Sequence, residues 1–182
     1  MVDRLLETLR DAQRFGFFGD RPIEEAAQHA RGFVDAIGPL PPGARLVDLG
    51  SGGGLPGLVV ADAYPHVHIA LIDRREKRTD FLRRAASRLG FDHVEVIAGD
   101  VATLIDSVIA EERPCFDVVT ARGFGPPSVT LTMANGLIGP AGRIVISEPP
   151  AADRWDPELL AELELTRTPV GHVSVFARTD RA

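Results

Sequence analysis

The segment Val47-Asp48-Leu49-Gly50-Ser51-Gly52-Gly53-Gly54-Leu55-Pro56-Gly57 constrains this chain more than any other. It follows a short apolar run, RLVDL at 45–49, and leads into an apolar, helix-periodic stretch near 55–63. A strand, a glycine loop and a helix therefore follow one another. Glycine takes positive φ without steric cost and lets a ligand approach the backbone. The first turn of the helix leaves its N–H groups free. Such a unit cradles a nucleotide-type ligand.

The rest of the chain repeats the rhythm. Candidate strands are RLVDL (45–49), VHIALI (67–72), HVEVI (93–97), FDVVT (116–120) and RIVIS (143–147), with candidate helices near 55–63, 75–89, 101–111 and 126–138. Alternating short apolar runs and helical segments predict an α/β fold built of βαβ units on a parallel sheet. After the polar loop EPPAADRWDP come a short helix around 157–162 and two β-like runs, LELTRT and GHVSVFAR. Their close spacing predicts an antiparallel hairpin at the sheet's edge. Upstream, apolar residues from Leu5 to Ala12 and from Ile23 to Ile37 recur at helical spacing, which predicts two helices parted by FGFFGD. Pro22 suits the first turn of the second and Asp20 its cap. The 182 residues read as a single domain, 1–40 an N-terminal helical region and 41–182 a cofactor-binding core.

Composition narrows the function classes. Hydrophobic residues are 45% and charged residues 25%, the balance of a globular chain. No run approaches the roughly 20 apolar residues that span a bilayer, and the start lacks a secretory layout. A cytoplasmic protein is expected. One cysteine, Cys115, excludes an intrachain disulfide and any cysteine cluster for zinc or iron; it is expected buried beside a strand. The five histidines show no metal-binding spacing, so no metal is expected. The net charge of -6 argues against bulk electrostatic coating of nucleic acid.

Two cofactor classes compete for the loop. Gly52-x-Gly54-x-x-Gly57, with Asp73 following Gly52 by 21 residues, satisfies a dinucleotide fingerprint. Asp48, two residues before Gly50, makes the pattern DxGxGxG, which is the first motif of class I methyltransferases that use S-adenosylmethionine. A carboxylate there suits a cationic ligand or orients the loop, and it does not suit a pyrophosphate. Asp73 closes the second strand, where an acid can accept both ribose hydroxyls. Asp100, after the third, stands either near an adenine amino group or as the cap of the helix that follows.

LVDLGSGGGLPGLVVA, LIDRREKRTDFLRRAASRLG and FDVVTARGF together resemble the RsmG (GidB) family of 16S ribosomal RNA guanine-N7 methyltransferases, over about residues 29–146. Leu55-Pro56-Gly57 and the Asp-Arg-Arg-x-Lys-Arg run from Asp73 carry the likeness. The resemblance implies a Rossmann-like, mostly parallel seven-stranded sheet with helices on both faces. It also implies S-adenosylmethionine as cofactor, S-adenosylhomocysteine as product, and the 16S RNA or small ribosomal subunit as partner. Cofactor contacts carried over are Gly50 and Leu55, Val101 and Ala102, and Arg122; the loop's Ser51, Gly52 and Gly54, with Asp48, Asp73, Arg74 and Asp100, complete the expected cofactor set. The family often has Gly-Arg-Ala-Glu where this chain has Gly99-Asp100-Val101-Ala102. A family lysine is replaced within Ser147-Glu148-Pro149-Pro150, and an Asn-Leu-Thr segment before the helix carrying His29 is missing.

Methyl transfer from a sulfonium can be catalysed by alignment alone, and guanine N7 already carries a lone pair, so no general base is required. Arg122, after the fourth strand, is the expected catalytic residue, since arginine holds phosphate or the edge of guanine. Phe124 is placed to stack on a base or simply to pack. The run Arg74, Arg75, Lys77, Arg78, Arg83, Arg84, Arg88 faces only Glu76 and Asp80, and Lys77, Arg84 and Arg88 share one flank of a helix. They form a phosphate-contacting surface or a plain solvated face. His29, His66, His68, His93 and Trp155 are assigned to structure or surface, and Glu148-Pro149-Pro150 to a strand exit. The alternatives are a related methyltransferase acting on another RNA or a small molecule, a non-catalytic cofactor- or RNA-binding module, and an NAD-dependent oxidoreductase.

Overall fold

In the computed structural model, residues 2–149 and 154–179 are described. Pro150 and the start of the loop after it, expected as part of a strand exit, lie outside them. Two helices, α1 (Val2–Arg14) and α2 (Ile23–Ile37), precede β1 (Arg45–Leu49). Then follow α3 (Gly57–Ala63), β2 (His68–Asp73), α4 (Glu76–Leu89), β3 (Val94–Ala98), α5 (Val101–Ile109), β4 (Phe116–Ala121), α6 (Pro127–Asn135) and β5 (Ile138–Ser147). The short α7 (Pro157–Glu162) leads to β6 (Leu165–Val170) and β7 (Val173–Arg178).

The strands form one seven-stranded sheet in the order β3-β2-β1-β4-β5-β7-β6. The first five are parallel. The expected terminal hairpin is present, β7 pairing antiparallel with both β5 and β6. The chain builds outward from β1 to β3 and then returns to lay β4 on β1's other side. Between β1 and β4 the connections diverge, and a crevice opens at the strands' carboxyl ends.

Successive strand residues point to opposite faces, and the core divides accordingly. Leu46, Ile69, Leu71 and Val118 face α1 to α4, with Phe33, Leu58, Phe81 and Leu82 packed over them. Val47, Leu49, Ile72 and Val119 face the other way, towards α5 and α6, with Leu104, Leu131 and Trp155. Both faces of the central strands are covered, which is why β1 and β2 read as continuous apolar runs rather than alternating ones.

Four local expectations are corrected. Cys115 is exposed; it lies in the turn before β4, and Phe116, 2% exposed, takes the buried place at the strand's start. Asp20 is not the cap of α2: Pro22 occupies the cap position, with no side-chain cap bond. The α6 helix stops at Asn135, three residues short of the expected end. Leu137 lies in the turn that follows, and the apolar Ile138 opens β5, which starts five residues before RIVIS. Gly139-Pro140-Ala141-Gly142 sits inside that strand as an irregularity, with a register shift opposite Phe116 and Val118. A Cβ on Gly142 would lie 2.9 Å from the Phe116 carbonyl oxygen, so only glycine passes there.

Candidate functional site

The glycine loop is held from behind by Asp48. Its side chain is fully buried at the end of β1, where Oδ1 accepts the Thr120 hydroxyl of β4 at 2.7 Å. Oδ2 has no partner of hydrogen-bonding geometry, although it lies against Gly57, where the first turn of α3 turns its amides towards it. A Cβ on Gly57 would come within 2.8 Å of that oxygen and 2.5 Å of Leu71. Burial pushes the Asp48 carboxyl up to about 6, opposed by Thr120, Ser51, the Gly57 amide and the nearby Arg122. Of its two expected roles, the geometry matches orientation of the loop: Asp48 is sealed beneath it and does not line the crevice.

Asp73 fixes the loop from the side. Its Oδ2 accepts the Gly52 amide at 3.0 Å and a long contact from Arg78 at 3.4 Å, while Oδ1 accepts the Arg75 amide at 2.9 Å. Two carboxylate oxygens offer about four acceptor positions, so Oδ1 keeps capacity for a hydroxyl arriving from the crevice. Ser51 is buried, its hydroxyl donating to the Asp48 carbonyl at 2.8 Å. Gly50, Gly52 and Gly54 take positive φ of 64°, 56° and 101°, conformations that a side chain would strain. Leu55, in cis linkage to Pro56, is buried behind them.

In front of the loop lies a cavity of about 420 Å³. Gly50, Asp73, Arg74, Asp100, Val101 and Phe124, all expected at the site, line it together with Arg78, Gly99, Val129 and Met133. Its lining combines the carboxylates of Asp73 and Asp100 with the apolar side chains of Val101, Phe124, Val129 and Met133, a chemistry that suits a polar ribose and an apolar-faced base. Phe124 also leans on Gly50, where a Cβ would meet its ring at 2.9 Å. Asp100 caps α5, its Oδ1 accepting the Ala102 amide at 3.0 Å. Ala102 contributes through that amide and does not itself line the cavity.

Arg122 turns away into a second, larger cavity of about 960 Å³ that meets the first at Gly123. Its Nη1 is buried without a hydrogen-bond partner among the described residues. Burial pulls the guanidinium below its ordinary value, countered by Asp48 and reinforced by Arg21. Arg21, His29, Arg154 and His172 share this cavity, none of them expected at a site. The rings of His29 and His172 lie 3.8 Å apart, and burial, followed by repulsion from His172, Arg122 and Arg21, holds the His29 imidazole below its ordinary value. Glu148 is a strand exit with a further task. It accepts Trp155 Nε1 at 2.5 Å and Arg154 Nε at 3.1 Å, and Arg154 lines the same cavity. Trp155 is buried against Phe176, as a structural residue would be.

The basic flank of α4 divides. Arg88 is engaged by Glu7 and Asp11 of α1 at 3.3 and 2.8 Å, which ties it to the helix packing rather than to a free surface. Lys77 and Arg84 lie beside a hollow with Phe15, Phe17 and Phe81. Sequence reasoning had no signal for the Arg21 to His172 cavity, because its walls come from both ends of the chain. Arg78 stood in the basic run, and only its reach back to Asp73 distinguishes it. Among the described residues no cluster of three or more potential metal ligands occurs, and no helix is long and apolar enough to cross a membrane.

Comparison with known proteins follows the same line. The family model GidB, rRNA small subunit methyltransferase G, matches residues 12–150. The ribosomal RNA small subunit methyltransferase G of Methylibium petroleiphilum is 30% identical over 126 residues, 66% of this chain and 54% of that protein. Its namesake in Nitratidesulfovibrio vulgaris is 34% identical over 117 residues (64% and 51%), and that of Halorhodospira halophila 40% over 106 (58% and 47%). The chain thus spans about half the length of the curated relatives it matches. Among solved structures, MtNAS in complex with MTA and tNA superposes with a TM-score of 0.64 at 19% identity, covering 96% of this chain and 69% of that one. Coclaurine N-methyltransferase bound to N-methylheliamine and SAH gives 0.59 at 15% identity, covering 84% and 52%. These likenesses show a shared class I methyltransferase fold. With the family model covering most of its length, the chain belongs to the GidB family, rRNA small subunit methyltransferase G.

Proposed function

We propose that this protein is a cytoplasmic, S-adenosylmethionine-dependent methyltransferase acting on guanine N7 of 16S ribosomal RNA. The observation that carries the reading is the pairing of two cavities at Gly123: one beside Gly50 of the glycine loop, lined by Asp73 and apolar side chains, and a larger one lined by Arg122. The residues of the first fit the cofactor. Asp73 has acceptor capacity facing the crevice, Val101, Phe124 and Met133 offer apolar faces to a purine, and the Gly50 backbone can be approached closely. When bound, S-adenosylmethionine supplies an electrophilic methyl on a sulfonium, which leaves as the neutral thioether of S-adenosylhomocysteine.

This chain's own part is alignment and exclusion. Arg122, held electrostatically by buried Asp48, lines the second cavity, and its guanidinium carries an N–H group with no partner among the described residues. A guanidinium N–H donated to the O6 of a guanine in that cavity would hold the ring in plane while leaving the N7 lone pair free for attack. N7 gains a methyl and a positive charge, and no proton moves, so no general base is required. Arg21 and Arg154 would meet the phosphates of the acceptor strand. The test is transfer of labelled methyl from S-adenosylmethionine to small subunits lacking the modification. Label at a guanine N7 that is lost with Arg122→Ala, while S-adenosylhomocysteine still binds, is the expected result. Binding of the cofactor with no label in any RNA would sink the acceptor assignment.

A further inference from the structure

We propose that Phe15, backed by Phe17 and Phe81 and flanked by Lys77 and Arg84, is a stacking platform for a single-stranded RNA nucleotide adjacent to the methyl acceptor. The inference rests on the reading of the acceptor as an RNA base and adds a second contact point for that strand.

Phe15 is 64% exposed, in the turn that leaves α1. Its ring centroid stands 6.0 Å from that of Phe17, tilted by 35°, and 6.1 Å from Phe81, edge-on at 66°. Phe17 and Phe81 meet edge-on at 5.6 Å. Two neighbours thus support Phe15, while most of its own surface faces water. Folding gains little from that exposure. A base laid on the ring would cover it, and every base has a face to offer.

The surroundings favour a polyanion. The hollow at this cluster, about 320 Å³, is edged by Lys77 and Arg84. Neither is ion-paired among the described residues, whereas Asp80, the acid in the hollow, is already engaged by Arg83 at 3.0 Å. The neighbours of Lys77 along the chain, Arg74 and Arg75, edge the cofactor cavity. Aromatic rings interleaved with unpaired cations are what a single strand needs: stacking for the base, charge for the phosphate.

Position links the platform to the acceptor site. The FGFF turn straddles Gly53 of the glycine loop, where a Cβ would come 2.6 Å from the Phe18 ring and 3.0 Å from Phe17 Cβ. Phe18 lines the Arg122 cavity, while Phe15 and Phe17 line the basic hollow. Three residues of chain reach at most about 11 Å. One or two nucleotides of extended strand bridge that span, so a neighbour of the acceptor base would arrive over Phe15. The glycine loop would then sit beneath the strand, with Phe18 on the acceptor side and Phe15 on the other.

The experiment uses the full chain with a fluorescent single-stranded RNA oligonucleotide, read by anisotropy, with an S-adenosylhomocysteine titration run on every variant. Phe15→Ala and Phe15→Leu are expected to weaken RNA binding about 5- to 100-fold, and Phe15→Trp to preserve it, with S-adenosylhomocysteine affinity unchanged in all three. In the wild type, RNA carrying 5-iodouridine is expected to crosslink at Phe15, which is read without any substitution. RNA binding by Phe15→Leu equal to wild type, or crosslinks that avoid Phe15, overturns the platform. If Phe15→Ala binds naked RNA normally but no longer binds small subunits, the face docks a protein and the proposal is equally overturned. Failure of the underlying reading looks different: the wild type then binds S-adenosylhomocysteine and no RNA at all.

Discussion

At the residue scale the two acids of the glycine loop do different work, and each predicts its own measurement. Asp48 is buried with one oxygen unpartnered and its carboxyl raised to about 6. An acid whose folded value lies above its unfolded one holds more protons in the native state between the two, so stability falls as pH rises from about 4 through 6. The shift corresponds to at most about 3 kcal/mol. Urea unfolding of wild type and Asp48→Asn across that window should therefore show the variant gaining on the wild type as pH rises, then a constant difference above pH 7. A difference that does not vary with pH would mean Asp48 does not titrate there. Asp73 works through the loop's amides. Asp73→Ala leaves Gly52 and Arg75 N–H groups without their acceptor and removes the ribose contact, and hydrogen bonds to a charged group contribute about 1.5–3 kcal/mol each. S-adenosylhomocysteine affinity should drop by about 10- to 100-fold in calorimetry, with Asp73→Asn intermediate because one oxygen remains. Unchanged affinity in Asp73→Ala would move the cofactor elsewhere.

At the scale of elements, what was legible in sequence was what lies close together in it. The strand-loop-helix at 45–63 and the acid ending β2 declare themselves within 30 residues, and so does the βαβ rhythm that orders the sheet. Strands buried on both faces still read as apolar runs, and the terminal hairpin as two runs too close for a crossover. The misses have local causes. Gly139-Pro140 reads as a breaker, yet β5 carries it as an irregularity because β4 accommodates the shift. The Arg122 cavity escaped because Arg21, His29, Glu148 and His172 are brought together only by α2 packing over β5 and β7. Arg88 shows how helical periodicity misleads about charge: it shares a flank with Lys77 and Arg84, but α1 covers its end of α4. Its side chain is 46% exposed, and exposed pairs contribute about 0.2–1 kcal/mol. Arg88→Ala should lower unfolding stability by less than about 1 kcal/mol and leave RNA affinity alone. A marked loss of RNA binding would return Arg88 to the substrate surface.

At the scale of the whole molecule, a net charge of -6 coexists with a basic edge around the crevice. The overall field repels a polyanion, so recognition has to come from the few cations that are free at short range, where screening matters least. Arg74, Arg75, Lys77 and Arg84 are the members of the α4 run without an ion pair among the described residues. Each phosphate neutralised on a single strand releases about 0.7 counterions. Four contacts then give a slope of about -3 for the logarithm of the binding constant against the logarithm of salt concentration. The double variant Lys77→Ala/Arg84→Ala should flatten that slope by about 1.4, whereas Phe15→Ala should weaken binding at every salt concentration without changing the slope. Stacking and charge are thereby separated on one plot. A wild-type slope near zero would leave the basic edge without a role in RNA capture. A double variant with the wild-type slope would shift the phosphate contacts to Arg21 and Arg154 around the Arg122 cavity, the other cations that the fold gathers beside the acceptor.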